Sequence, residues 1–217
     1  MVLYKSELAP KRKNQTGWIL LFALAFLTAA LGAAETKTIV FFGDSLTAGL
    51  GLDPDEAFPA LIQKKIDAAG LHAQVVNAGL SGETTAGGLR RLNWILKQKP
   101  DVFVIELGAN DGLRGIPPET SRSNLQTLID RVREKYPSAT LVLAGMKLPT
   151  NLGPEHTAQF AAIYPELAQA NHVALIPFLL ADVGGIPSLN QADGIHPTAK
   201  GHEIVAENVW AVLRPLL

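Results

Sequence analysis

A chain of 217 residues, 47% hydrophobic and 18% charged, has the length for one domain with a sizeable core and is too apolar for disorder. A net charge of −1 with no basic stripe excludes nucleic acid as an expected partner. The absence of cysteine excludes disulfides, a thiol nucleophile, thiolate metal ligation and a lipoprotein anchor.

At the N-terminus Lys5, Lys11, Arg12 and Lys13 precede an apolar run over residues 18–31, followed by Gly32-Ala33-Ala34. A basic segment, an apolar segment and small residues in that order predict a signal peptide, residues 1–34, cut after Ala34 and leaving a domain of residues 35–217. The run of 14 residues is shorter than the roughly 20 that a spanning helix needs. The alternative on these residues is an uncleaved membrane anchor. Loss of four basic side chains and Glu7 leaves 15 basic and 19 acidic residues, net −4. The expectation is a periplasmic or secreted monomer with no stable membrane insertion after cleavage.

Beyond residue 35, short apolar runs alternate with helical patterns. Strands are expected at residues 38–42, 74–77, 102–107, 140–144 and 173–177. These are continuous apolar runs, as strands covered on both faces require. Phe58, Leu61, Ile62, Lys65, Ile66 and Ala69 keep the i, i+3, i+4 spacing of one buried helical stripe. Leu125, Leu128, Ile129 and Val132 do the same, as do Ile204, Val205, Asn208, Val209 and Val212. Residues 84–97 and 157–171 complete the helices. The β-α-β-α order predicts an α/β fold, a three-layer α/β/α sandwich around a five-stranded parallel, flavodoxin-like sheet. Ligands bind such sheets beyond the carboxyl ends of the strands, where Ser45, Gly79, Asn110, Asp193 and His196 all fall.

The chemistry is concentrated in two of those segments. Asp193-Gly194-Ile195-His196 sets a carboxylate and an imidazole three residues apart, and Gly43-Asp44-Ser45-Leu46 sets a serine in the turn after the first strand. A serine hydroxyl is a weak nucleophile until a base takes its proton. The base in turn needs a carboxylate to fix its tautomer and steady the imidazolium. The pattern predicts a serine hydrolase with Ser45 as nucleophile, His196 as base and Asp193 as the orienter of that base. By itself Ser45 also reads as a helix N-cap, and residues 43–49, rich in Gly, Ser and Thr, as a phosphate cradle of a flavodoxin-like nucleotide binder. The Asp193/His196 pair speaks against the cradle, and the intact trio speaks against a non-catalytic binding protein. A Gly-x-Ser-x-Gly elbow is absent, which disfavours an ordinary α/β-hydrolase.

Acyl transfer also needs donors aimed at the oxygen that becomes negative. The candidates are the Ser45 N–H at a helix start, the Gly79 N–H, with no side chain to crowd the substrate, and the Asn110 side-chain amide. Asp44 and Asp111 read as turn or capping residues, and Glu106, at the end of the third strand, as a candidate buried carboxylate behind the site with no assigned role. His202 reads as a solvated position on the last helix, and His72, His156 and His172 as loop residues. No second histidine or carboxylate pair has ligand spacing, so neither a metal nor a cofactor is expected.

Gly43-Asp44-Ser45-Leu46, Gly79, Gly108-x-Asn110-Asp111 and Asp193-x-x-His196-Pro197 together resemble the four sequence blocks of the SGNH (GDSL) hydrolases. The likeness runs from about residue 38 to the C-terminus, taking in Leu148-Pro149 and Ile163-Tyr164-Pro165, and is strongest to the periplasmic arylesterase branch with thioesterase I and lysophospholipase activities. It implies the same nucleophile, base and orienter, and an oxyanion hole of Ser45, Gly79 and Asn110. It also implies hydrolysis of small-molecule or lipid esters, aryl, acyl, thio- or lysophospholipid, through a seryl acyl-enzyme. Residues 112–118 and 146–156 are expected to shape an apolar groove with Leu113, Ile116 and Leu148. The alternative within the enzyme class is a polysaccharide or sugar O-deacetylase, for which aromatic platforms would be expected.

Overall fold

A computed structural model describes residues 1–2 and 35–217; the expected signal segment lies outside the described residues apart from its first two. Thr36–Leu217 form one unit. Its strands are β1 (Lys37–Gly43), β2 (Ala73–Gly79), β3 (Val102–Glu106), β4 (Thr140–Ala144) and β5 (Ala174–Ile176). All pair in parallel, in the order β2-β1-β3-β4-β5. The described helices are α1 (Ser45–Ala48), α2 (Phe58–Ala68), α3 (Thr85–Ile95), α4 (Ala109–Leu113), α5 (Pro118–Lys135), α6 (Pro154–Asn171) and α7 (Ala199–Leu213).

The chain leaves β1 in one direction to make β2 and then crosses back to build β3, β4 and β5. Right-handed crossovers in opposite directions place α2 on one face and α3, α5 and α6 on the other. Accordingly α2 packs against α7, while α3 meets α5 and α5 meets α6. Both faces of β1 are therefore covered, which is why its sequence does not alternate. Phe41 stands edge-on to Phe58 of α2 at 5.3 Å, and Phe42 lies 5.5 Å from Phe103 with the Arg91 guanidinium of α3 4.3 Å from its centroid. Each such phenyl, fully buried, contributes about 1.5–3 kcal/mol of hydrophobic stabilisation. The reversal of direction opens a crevice between the carboxyl ends of β1 and β3, which positions the residues after Gly43 and Glu106.

Two expectations about helices are corrected. The buried stripe of α7 is Gly201, His202, Val205, Ala206, Val209 and Leu213, about one position round from the expected one. His202 is thus not solvated. It is buried, accepts the Phe58 N–H at 3.1 Å through Nδ1, and stacks on that ring, tying α7 to the start of α2. Desolvation, with the charge of His196 second, lowers its pKa to about 4. The second correction concerns α6, which begins at Pro154 and so contains His156. Proline at the first helical turn loses no hydrogen bond, and Gly153 before it stands at φ +92°.

Candidate active site

Ser45 is held by the way α1 starts. Asp44 is the N-cap, its Oδ1 accepting the Leu46 N–H at 3.0 Å, so Ser45 is the first helical residue and not the cap itself. Gly49, at φ +74°, ends the helix after one turn. Among the described residues no acceptor takes the Ser45 N–H, leaving it as a free donor at the positive pole of the helix start. The side chain is mostly buried, and its Oγ lies 2.8 Å from His196 Nε2.

The histidine arrives on a tied loop. Asp193 Oδ2 is 2.7 Å from His196 Nδ1, while Oδ1 accepts the N–H groups of Ile195 and His196, each at 3.0 Å. The His196 N–H first, then that of Ile195, hold the Asp193 carboxyl down to about 2, so it is ionised at any working pH. An ionised acceptor at Nδ1 requires the Nδ1–H tautomer, which leaves the Nε2 lone pair facing Ser45 Oγ. Gly194, at φ +77°, allows the turn. Gln191 fastens the loop from outside: its N–H donates to His196 O at 2.7 Å and its Nε2 to Leu50 O and Pro197 O at 2.7 and 3.0 Å. Thr198 then caps α7 by accepting the Gly201 N–H. Serine and histidine are therefore registered by one glutamine that touches both loops.

Asn110 sits on α4, after Gly108. That glycine has φ +121°, and a Cβ there would come within 2.3 Å of the Tyr164 hydroxyl, which donates to Leu107 O. Asn110 Nδ2 donates to Asp44 Oδ2 at 3.0 Å, and the residue lines the cleft in front of Ser45. Gly79 lies at the end of β2. Its N–H donates to Asn77 Oδ1 at 2.9 Å, and Gly79 is not part of the cleft wall. Its lack of a side chain answers to packing, because a Cβ would meet Ala48 N of α1 at 2.3 Å. Asp111 departs from expectation. It does not cap the turn after it but lies buried, accepting the Thr85 N–H at 2.8 Å, the Thr85 hydroxyl and the Ser121 hydroxyl, so it joins α3 to α5.

The cleft holds about 570 Å³. Leu113 and Leu148 line it as expected; Ile116 does not, its N–H being turned back to Asp111 O at 2.9 Å. Met146, Phe178 and Leu180 add apolar wall. Phe178 and Leu180 were not anticipated, although residues just beyond β5 are where a parallel sheet contributes to a site. Among the described residues no three His, Asp or Glu side chains cluster as metal ligands, and no helix is long and apolar enough to cross a membrane.

Comparison with known proteins accords with this geometry. Residues 41–204 match the GDSL-like Lipase/Acylhydrolase family. Esterase TesA of Pseudomonas aeruginosa is 43% identical over 196 residues, 90% of this chain and 95% of that protein. Thioesterase 1/protease 1/lysophospholipase L1 of Escherichia coli K12 is 38% identical over 205 residues, 94% of this chain and 96% of that one. A crystal structure of TesA, 43% identical, covers 83% of this chain and all of its own with a TM-score of 0.80. The chain belongs to the GDSL-like lipase/acylhydrolase family and is a serine esterase of the SGNH type.

Proposed function

We propose that Ser45 attacks the carbonyl of a carboxylic ester while His196 Nε2 takes its proton, and that Asp193 steadies the resulting imidazolium. The observation that carries this reading is the unbroken path from Ser45 Oγ to His196 at 2.8 Å and from His196 to Asp193 at 2.7 Å. The proton then passes from His196 to the leaving alcohol or thiol as the tetrahedral intermediate collapses to the acyl-enzyme. Water repeats the sequence and releases the acid. The Ser45 N–H and the second Asn110 amide hydrogen stabilise the oxyanion. Gly79 joins them only if its N–H leaves Asn77 Oδ1.

The acyl chain occupies the wall formed by Leu113, Met146, Leu148, Phe178 and Leu180. Each methylene buried there is worth about 0.8 kcal/mol, or about fourfold in kcat/KM. That wall supports acyl, aryl and lysophospholipid esters and acyl thioesters over acetylated sugars. The names of the relatives support the same substrate range. The arrangement of residues 1–34 supports export to the periplasm or beyond, with a mature start at or near Glu35.

An organophosphonate should label the protein once, on Ser45, and Ser45→Ala should lose both labelling and turnover. Turnover near the parent level in Ser45→Ala would exclude this mechanism. A series of p-nitrophenyl esters from acetyl to palmitoyl, beside acyl-CoA and lysophosphatidylcholine, ranks the substrates.

A further inference from the structure

Two buried carboxyl groups meet beside Ser45, and neither belongs to the proton path. Glu106, at the end of β3, has no accessible surface, and Asp44 has almost none. Among the described residues no lysine or arginine hydrogen-bonds to either. Glu106 Oε2 accepts the Asp44 N–H at 3.2 Å and the Thr47 hydroxyl at 2.7 Å. Its Oε1 is buried and lacks a partner. Asp44 Oδ1 accepts from Leu46 and Oδ2 from Asn110, both at 3.0 Å, and the Asp44 carboxyl is the charge that Glu106 feels most. Gly43 makes room for this, since a Cβ there would come within 2.4 Å of Glu106 Oε2.

Two ionised carboxylates buried side by side repel each other, and with no cation beside them the repulsion is relieved by a proton on one. Each Asp44 oxygen accepts one N–H and keeps a second lone pair for a further donor. Glu106 Oε2 already faces two donors. Only Glu106 Oε1 faces none, and a proton there turns an orphaned acceptor into a donor.

We infer that Glu106 is held as the neutral acid, that its Oε1–H donates to the Asp44 carboxylate, and that the pair positions the Asn110 amide for the oxyanion. This rests on the role proposed above for Asn110. With Asp44 ionised, Nδ2 is the only end of the Asn110 amide that it accepts. A flip would set the Asn110 carbonyl against a carboxylate. One amide hydrogen stays on Asp44 and the other points to the cleft, before substrate binds.

The surroundings agree in direction. Burial first, and the Asp44 charge second, raise Glu106 well above the carboxylate range, while burial raises Asp44 to about 6. At neutral pH the pair therefore retains one proton. Of the other groups facing it, His196 opposes part of the rise at Asp44, and Tyr164 is itself raised by burial, then by Glu106, and stays neutral.

Infrared difference spectra of the parent against Glu106→Gln at neutral pH test the proton directly. The carbonyl stretch of a protonated carboxylic acid should be present in the parent and missing from the variant; no such band in the parent overturns the inference, whatever the activity. Kinetics test the positioning. Glu106→Gln supplies an N–H in place of the acid O–H and should keep most of kcat. Glu106→Leu supplies none and should lower kcat about 10²-fold at unchanged KM, the scale of a lost oxyanion donor. In an Asn110→Ala background the same substitution should cost almost nothing more, and additive losses would overturn the positioning role. If Glu106→Leu does not fold, Asp44→Asn takes its place and must show the same non-additivity. Failure of the serine mechanism would appear separately, as turnover in Ser45→Ala.

Discussion

One hydrogen of the Asn110 amide is fixed on Asp44 Oδ2, which leaves the other to follow charge as it develops on the substrate. Such a bond strengthens between ground state and transition state, so its loss belongs in kcat. Asn110→Ala should fold, still react slowly with the phosphonate, and turn over p-nitrophenyl butyrate about 10²–10³ more slowly, equivalent to roughly 2.7–4 kcal/mol. A raised KM at unchanged kcat would make Asn110 a binding residue instead. At this scale much was legible in the sequence. Ser45, Asp193 and His196 carry their chemistry in residue type and short spacing, and the structure brings them within hydrogen-bonding distance. The Gly79 N–H donates to an Asn two residues earlier, a local habit of asparagine that the sequence already signalled. Glu106 was legible as a buried carboxylate at a strand end, but its partner was not, because Asp44 lies 62 residues away.

Among elements, the inner strands β1, β3 and β4 were visible as continuous apolar runs because each is covered on both faces. Helices that meet through polar side chains were not. The contact between α7 and α2 passes through His202 and Phe58, 144 residues apart, and the tie from α4 to α3 and α5 passes through Asp111. Asp111→Ala strands a buried Thr85 N–H and two hydroxyls, so it should lower stability by about 1–3 kcal/mol for each group left unsatisfied. It should change kcat far less than Asn110→Ala does, as chemical denaturation and steady-state rates would show. If the two exchanged effects, α4 would have to be reassigned. Gln191 makes a complementary case, since it holds the loop of His196 to the loop that follows Ser45. Its side chain is outside the chemistry, yet Gln191→Ala should lower kcat by up to about 10²-fold, the scale of a misplacement of about 1 Å. The thermal midpoint should hardly move. A large loss of stability with kcat intact would show that the clamp serves folding alone.

For the whole molecule, buried titratable groups set opposing dependences of stability on pH. His202 binds its proton near pH 4 when folded, against 6.5 for an ordinary histidine. Between those values the unfolded chain holds more protons, so this group makes stability rise with pH. Asp44 behaves in reverse: it keeps its proton to about pH 6 when folded, against 3.8 ordinarily, so between those values the folded chain holds more protons and stability falls as pH rises. Glu106, raised well above 4.5, adds to the fall. Asp193, lowered from 3.8 to about 2, acts only below this window. The two opposing slopes can be isolated by calorimetry at intervals from about pH 4 to 6.5, the span between the folded and ordinary values for His202. In His202→Gln the midpoint should fall with rising pH more steeply than in the parent, because the opposing contribution of His202 is gone. In the double variant Asp44→Asn, Glu106→Gln it should rise, because the contribution of the carboxyl pair is gone and that of His202 remains. The parent should lie between them. The absolute midpoints of the variants do not matter, since each substitution carries its own packing cost; the sign of the slope is the test. Equal slopes in the two variants would mean that neither the acid pair nor His202 holds the protonation state assigned to it.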